Sequence, residues 1–155
     1  MIRLVLSRLA FILALAWGGC AIAAGAGSDL VLVVHPDSGV EQLSRNQTIN
    51  IFMGRHRQLP SGIAALPLDL APERETFYRL LTNKTLAEIN AYWARLIFSG
   101  RTSSPRQVYS AAEMLDLVAD NKGAIGYLRR EDLDDRVKAV TTPDGWQQPA
   151  AGTGP

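Results

Sequence analysis

The sequence predicts an α/β fold in which helices flank a mixed β-sheet. One apolar run near the amino terminus, Leu30–His35, is rich in β-branched residues and is too short for a helix, so it is typical of a buried strand. Residues 121–128 combine the end of a helix, a turn and a second short apolar strand. Between them lie several amphipathic segments that begin with capping residues. The predicted order of strand, helix, strand, three helices and two strands indicates helices packed on a sheet.

The stretch from Asn121 to Leu128 is the unit that the remaining elements cover. Asn121-Lys122-Gly123 is expected to end a helix, with Gly123 at a positive φ. Gly126 lies inside the following strand, where a missing side chain usually means that another group approaches the backbone closely. The run Val137–Val140 is expected to supply a strand next to this one.

The first half of the chain contains two strands and a helix. After Leu30–His35, the segment Pro36–Gly39 reads as a turn. Ser44 and Gln47 have the spacing of a capping box and predict a short helix that ends at Gly54. Leucines alternate within 63–70, which predicts a strand, and Pro67 indicates an edge position for it.

Three further helices are predicted before residue 121. Pro72 suits the first turn of a helix that buries Phe77 and two leucines. Thr85 and Glu88 form a second capping box, for a helix that ends at Gly100. Ser110 and Glu113 form a third capping box, for a helix that leads to Asn121, and residues 101–105 before it are predicted to be a polar loop.

The first 24 residues read as a cleaved export signal. Arg3 and Arg8 precede an unbroken apolar run, Leu9–Trp17, and Ala21-Ile22-Ala23 matches the small-residue pattern for cleavage after Ala23 or one residue later. The predicted organisation is a signal peptide at 1–24, a leader at 25–29, an α/β domain at 30–141 and a flexible tail at 142–155. Lipidation of Cys20, which follows Trp17-Gly18-Gly19, is an alternative fate for this segment, as is an uncleaved anchor.

The charge and the cysteine content argue against disulfide stabilisation and against nucleic-acid binding. Cys20 is the single cysteine of the chain, so the exported portion has none and its stability rests on packing. Removal of Arg3 and Arg8 leaves 14 basic and 15 acidic residues, a net charge of −1. A chain without excess positive charge is not expected to bind nucleic acid in general.

Several motifs, in this order, resemble the periplasmic phosphate-binding proteins of ABC importers. They are Leu43-Ser44, then Asn50-Ile51-Phe52-Met53-Gly54, then Phe77, and finally Gly123-Ala124-Ile125-Gly126-Tyr127. The resemblance runs from about Val31 to Val140 and implies one lobe of a type 2 periplasmic-binding-protein fold, in a short single-lobe branch. It also implies a periplasmic location and recognition of a tetrahedral oxyanion such as phosphate, without a metal or other cofactor.

Three features depart from the family pattern. Full-length members have two lobes around a cleft, whereas this chain matches only their later part. Members also carry an arginine followed by Ser-Gly-Thr at the start of the helix that leads to the residue matched by Phe77. Here the corresponding stretch is 69–76, which has Arg74 but no Ser-Gly-Thr, and Lys122 stands where the family has a proline.

Three places could hold an anion. The start of a helix offers free N–H groups and the positive end of its dipole, so Arg74 and Thr76 are candidates, although Glu73 and Glu75 flank Arg74. The turn after the first strand and the loop after the third helix are the other two. The candidate ligand residues are Ser38, Gly39, Arg74, Thr76, Arg101, Thr102 and Ser103.

Two functions are compatible with these observations. The first is a periplasmic solute-binding-like protein that binds phosphate or a similar oxyanion and works with an ABC permease. The second is an interaction module that keeps the fold without a ligand and binds an envelope protein or another copy of itself. No enzyme is expected, because neither a nucleophile elbow nor a phosphate-binding P-loop is present, and the two histidines have no cysteine to join them in a metal site.

Overall fold

The fold is known from a computed structural model that describes residues 29–100 and 102–142. It contains five strands: β1 (Leu30–Val34), β2 (Leu66–Leu70), β3 (Arg106–Val108), β4 (Ala124–Arg129) and β5 (Lys138–Val140). Its four α-helices are α1 (Arg45–Phe52), α2 (Arg74–Thr82), α3 (Leu86–Phe98) and α4 (Ala111–Asp120). The predicted signal peptide, most of the leader and most of the tail lie outside the described residues. None of the helices within the described ranges is long and apolar enough to cross a bilayer.

The strands form one mixed sheet in the order β3-β2-β4-β1-β5. β2 runs parallel to both β3 and β4, while β1 runs antiparallel to both β4 and β5. In the register, Val33 faces Gly126 and Leu66 faces Ala124. The α/β fold with a mixed sheet and flanking helices is therefore confirmed.

The core is built on the two central strands. All five residues of β1 are buried, as are residues 124–128 of β4. On this surface the Phe77 ring of α2 stacks on Tyr127 with ring centroids 3.7 Å apart, and Phe52 of α1 meets Phe77 edge to face at 4.8 Å. Because each of these rings is almost fully buried, α1 and α2 are fixed against β4.

The capped helix starts predicted for α1, α3 and α4 are present, whereas α2 begins at Arg74, after a short 3-10 helix at Ala71–Glu73 that contains Pro72. Ser44 with Gln47, and Thr85 with Glu88, form reciprocal capping boxes at α1 and α3. At α4 the Ser110 hydroxyl accepts the Glu113 N–H, but the Glu113 carboxylate accepts the N–H of Tyr109 rather than that of Ser110. The third box is thus shifted by one residue on its carboxylate side.

The two glycines of the 121–128 stretch are required because neighbouring atoms leave no room for a side chain, and neither has a positive φ. A Cβ on Gly126 would lie 2.3 Å from Met114 Sδ, so the predicted close approach is confirmed and its partner is α4. A Cβ on Gly123 would lie 2.0 Å from the carbonyl oxygen of Ala64. Gly123 is not among the residues with positive φ, so that prediction is wrong: the glycine is required by a neighbouring strand entry that local sequence does not reveal.

Three strand predictions also need correction. β3 was not predicted, and it separates α3 from α4. β5 pairs with β1, so β1 separates it from β4. β2 begins at Leu66 rather than residue 63 and lies inside the sheet, not at an edge. Pro67 is in register with Ile125 of β4, but on the other side of β2 the pairing with β3 begins only at Leu68. On that side the missing N–H of Pro67 removes no ladder bond.

Candidate functional site

The sheet has two edges at which loops gather. At the carboxyl edge the three parallel strands end, at Leu70, Val108 and Arg129. At the amino edge the same strands begin and the antiparallel β1 ends at Val34. Ligands of α/β proteins usually bind at the carboxyl ends of the strands, so the carboxyl edge is the first place to look.

The predicted ligand residues do not gather at one edge. Arg74 and Thr76 lie at the carboxyl edge, because α2 follows the end of β2. Ser38 and Gly39 follow the end of β1, and Thr102 and Ser103 precede β3, which places these four at the amino edge. The remaining candidate, Arg101, lies outside the described residues.

At the carboxyl edge, the Arg74 guanidinium has internal partners. Its Nε donates to Asp69 Oδ2 at 3.0 Å, and its Nη1 donates to Asn90 Oδ1 at 2.9 Å. The side chain of Asp69 is 1% exposed and that of Arg74 is 11% exposed, so this is a largely buried ion pair. The pair joins the end of β2 to α2 and α3.

Asp69 is the centre of a buried polar cluster. The Tyr78 hydroxyl donates to it at 3.1 Å, and the Tyr127 hydroxyl at 3.3 Å. Burial raises the pKa of Asp69, and the hydrogen bond and charge of Arg74 oppose that rise. Burial and the nearby Asp69 charge hold the pKa values of both tyrosines well above their usual range. These contacts satisfy the polar atoms and pack three elements together.

The start of α2 is acidic. Glu73 is nearly buried and accepts a hydrogen bond of 2.6 Å from the Arg129 guanidinium. Glu75 is exposed and lies 3.9 Å from Arg79 in the next turn. Thr76 is half-buried beside them. Carboxylates complement the positive end of a helix, and they repel an incoming anion.

The turn after β1 is held by its own hydrogen bonds. Ser38 is fully buried, and its hydroxyl accepts the N–H of Val40 at 3.3 Å. Gly39 is exposed at φ +71°, a conformation that favours glycine. The Asp37 carboxylate lies 3.9 Å from Lys122 Nζ. This turn therefore presents a carboxylate and a backbone surface.

A groove of about 730 Å³ lies at the amino edge, and a second of about 740 Å³ adjoins it. We call the two together the basic groove, because they share Ile51, His56, Arg57 and Ala64. Its hydroxyl end is lined by Thr102, Ser103, Ser104 and Arg106, and its Arg55 end by Arg55, Gln58, Leu59 and Pro60.

The wall of the basic groove between α1 and β2 is a fixed loop. The N–H groups of Arg55 and His56 both donate to the Asn50 carbonyl, at 2.8 and 3.0 Å. The N–H of Ala65 donates to the Arg57 carbonyl at 2.9 Å, which closes a small hairpin. Gly54, at φ +69°, lets the chain turn out of α1 where Trp93 leaves no room for a side chain.

The lining of the basic groove is cationic. It includes Arg55, Arg57 and Arg106 and contains no aspartate or glutamate. Within residues 29–100 and 102–142, the side chains of Arg55 and Arg106 form no hydrogen bond or ion pair, and both residues are exposed. Guanidinium groups next to hydroxyls are suited to phosphate or sulfate oxygens.

Only part of this site is visible in the sequence. Thr102 and Ser103 were candidates and line the groove. The three lining arginines were missed, although Gly54-Arg55-His56-Arg57 places two of them directly after a helix end. Among the described residues no cluster of three or more histidine, cysteine or acidic side chains could hold a metal ion.

Two solved structures with a similar fold are phosphate receptors. An ABC-type phosphate transport receptor from Vibrio cholerae superposes with a TM-score of 0.59 at 19% identity, over 74% of this chain and 46% of the receptor. A phosphate ABC transporter substrate-binding protein from Clostridium perfringens, solved with bound phosphate, gives 0.59 at 20% identity, over 74% of this chain and 44% of its own. The fold is that of a periplasmic binding protein.

Other comparisons limit how far this similarity extends. PstS from Borrelia burgdorferi shares the periplasmic-binding-protein fold with a TM-score of 0.56 at 12% identity, over 47% of its length. This chain therefore spans less than half of each of these receptors. No protein-family model and no curated protein matches the sequence.

Proposed function

We propose that this protein is an extracytoplasmic solute-binding-like protein that binds phosphate or a similar tetrahedral oxyanion at the hydroxyl end of the basic groove. The observation that carries the proposal is a groove wall with Arg106 and three neighbouring hydroxyls but no carboxylate. The fold shared with phosphate receptors supports the same ligand class.

The amino edge is the better location because the carboxyl edge is already internally satisfied. Arg74 is bonded to Asp69 and Asn90, and Glu73 and Glu75 surround the start of α2. An anion there would displace a buried ion pair and face two carboxylates. At the hydroxyl end, Arg106 can turn its donors to a ligand without breaking any contact within the described chain.

The proposed complex is of modest affinity. Arg55 and Arg106 are exposed, so a ligand bound in the groove stays in contact with water, and water weakens each charge-assisted hydrogen bond. We expect a dissociation constant for phosphate between about 10 µM and 1 mM. The partner that the receptor fold suggests is an ABC permease, to which the protein would deliver its ligand.

Isothermal titration calorimetry with phosphate and with sulfate tests this function. Arg106→Ala is expected to weaken phosphate binding about tenfold, the usual loss for one charge-assisted hydrogen bond. Arg130→Ala is the matched control, since Arg130 is an exposed arginine at the carboxyl edge, and it should bind phosphate like the unaltered protein. Absence of heat with either anion at millimolar concentration would reject the proposal and favour a ligand-free interaction module.

A further inference from the structure

We infer that the natural ligand of the basic groove is an extended anion with several phosphate groups, an oligophosphate chain, rather than a single phosphate ion. This inference rests on the proposed function and adds the class of ligand to it. It assigns a second binding position, at the Arg55 end, that a lone tetrahedral anion at the hydroxyl end does not reach.

The size of the groove is the first support. Its two parts, of about 730 and 740 Å³, each fall within the range of pockets that hold drug-sized ligands, roughly 300–1,000 Å³. A single phosphate fills a small fraction of either. Because His56 and Arg57 line both parts, the parts adjoin, and an anion longer than a single phosphate can contact residues of both.

The distribution of charge is the second support. Arg106 lines only the part with the hydroxyls, Arg57 lines both parts, and Arg55 lines only the other part. A site for one ion would gather its cations around one point. Cations spread along a groove without carboxylates match an anion whose charges are also spread along its length.

The apolar part of the lining argues against nucleic acid as that anion. Proteins that bind single strands without sequence preference stack the bases on aromatic side chains. The lining contains no phenylalanine, tyrosine or tryptophan, and its apolar residues are small or aliphatic, such as Ala65, Leu66 and Pro67. A chain of phosphates without bases fits this surface better.

Calorimetry of the full protein with orthophosphate and tripolyphosphate, in metal-free buffer, tests the inference. We expect tripolyphosphate to bind at least about tenfold more tightly, because it adds at least one charge-assisted contact. Arg55→Ala should remove most of this gain and leave orthophosphate affinity within about twofold, whereas Arg106→Ala should weaken both anions. Arg130→Ala is again the control.

Each outcome has a distinct meaning. Equal affinity for the two anions, or a tripolyphosphate gain that survives in Arg55→Ala, would overturn the inference and leave the proposed function intact. If neither anion binds, the proposed function fails and the inference fails with it. The inference would also be overturned if an unstructured oligodeoxynucleotide bound as tightly as tripolyphosphate or more tightly, because the groove would then recognise charge alone.

Discussion

At Gly126, one added methyl group would lie 2.3 Å from the sulfur of Met114, and at Gly123 it would lie 2.0 Å from a main-chain oxygen of Ala64. The two steric conflicts differ in whether the neighbouring atom can move away. The thioether is the flexible end of a side chain, although it is buried. The Ala64 carbonyl belongs to the backbone that enters β2, beside the bond from the Leu66 N–H to the Gly123 carbonyl.

Gly126→Ala is expected to lower the free energy of unfolding by about 1–3 kcal/mol, the usual cost of overpacking a core. Adding Met114→Val, which removes the conflicting atoms, should make the double variant more stable than the sum of the two single effects predicts. Gly123→Ala should cost more than Gly126→Ala. Urea unfolding of the unaltered protein and the four variants measures these changes, and a purely additive double variant would contradict the contact.

Arg74→Met tests the buried ion pair. Removing one partner leaves Asp69 uncompensated, so we expect a loss of about 3–5 kcal/mol of unfolding free energy at pH 7. The pKa of Asp69 in the folded protein is already raised by burial, and loss of Arg74 raises it further. A group with a raised folded pKa loses stability as the pH increases through that value, so the deficit should be smaller at pH 4 than at pH 7.

The control for this change is Arg79→Met in the same helix. Arg79 is 62% exposed and its ion pair with Glu75 is long, so its loss should cost at most about 1 kcal/mol. Denaturant unfolding at the two pH values provides the comparison. A deficit for Arg74→Met that does not change with pH would show that Asp69 does not take up a proton in response.

At the scale of elements, the features visible in the sequence are those that depend on neighbours along the chain. Capping pairs such as Ser44 with Gln47 lie three residues apart and were predicted correctly. β3 was missed because it has three residues, two of them exposed, and pairs with β2 only once the fold brings them together. The positive φ expected at Gly123 failed for a related reason, since Ala64 is distant in sequence.

The basic groove was missed for the same reason. Its walls come from the loop after α1, the loop after α3 and the starts of β2 and β3. Each segment alone reads as a polar loop, and only Thr102 and Ser103 were singled out. The assignment of Arg74 as a ligand depended on its position at a helix start, and the sequence does not show that Asp69 and Asn90 already occupy its donors.

The start of α3 gives a test at the element scale. Thr85→Ala removes the hydroxyl that accepts the Glu88 N–H and should cost about 1 kcal/mol, while Thr85→Ser should retain the cap. Hydrogen bonds from Thr85 lower the pKa of Glu88. The negative charge of Glu88 therefore stabilises the folded protein at pH values above the ordinary pKa of glutamate. This stabilisation is lost as the pH falls through the lowered pKa of Glu88.

Glu88→Gln isolates the charge, because the amide keeps an oxygen that can accept the Thr85 N–H. The unaltered protein should be more stable than Glu88→Gln at pH 7, and the difference should vanish below the lowered pKa of Glu88. Thermal unfolding of both proteins from pH 7 down to acidic pH measures the difference. A difference that grows as the pH falls would contradict the assigned direction.

For the whole molecule, the chain spans less than half of the receptors that share its fold, and residues 29–142 contain a complete five-stranded sheet. The proposed function requires the protein to be located outside the cytoplasm. The predicted signal at 1–24 supplies that route, and it can be checked without reference to the ligand.

Mass spectrometry of the protein recovered from the cell envelope is expected to give an amino terminus at Ala24 or Gly25. Replacing Ala21 and Ala23 with bulky residues should block this cleavage. A lipid-bearing terminus at Cys20, found in the membrane fraction, would instead establish the lipoprotein alternative.

The position of β1 also affects how the protein is made. Both of its partners, β4 and β5, come from the last third of the described chain, so this apolar segment emerges from the ribosome long before anything can pair with it. β1 can enter the sheet only after β4 and β5 have been synthesised, and pairing over such sequence distances is slow. That delay is compatible with the predicted export of an unfolded chain, and it makes chains that terminate before β4 prone to aggregate through an uncovered Leu30–Val34.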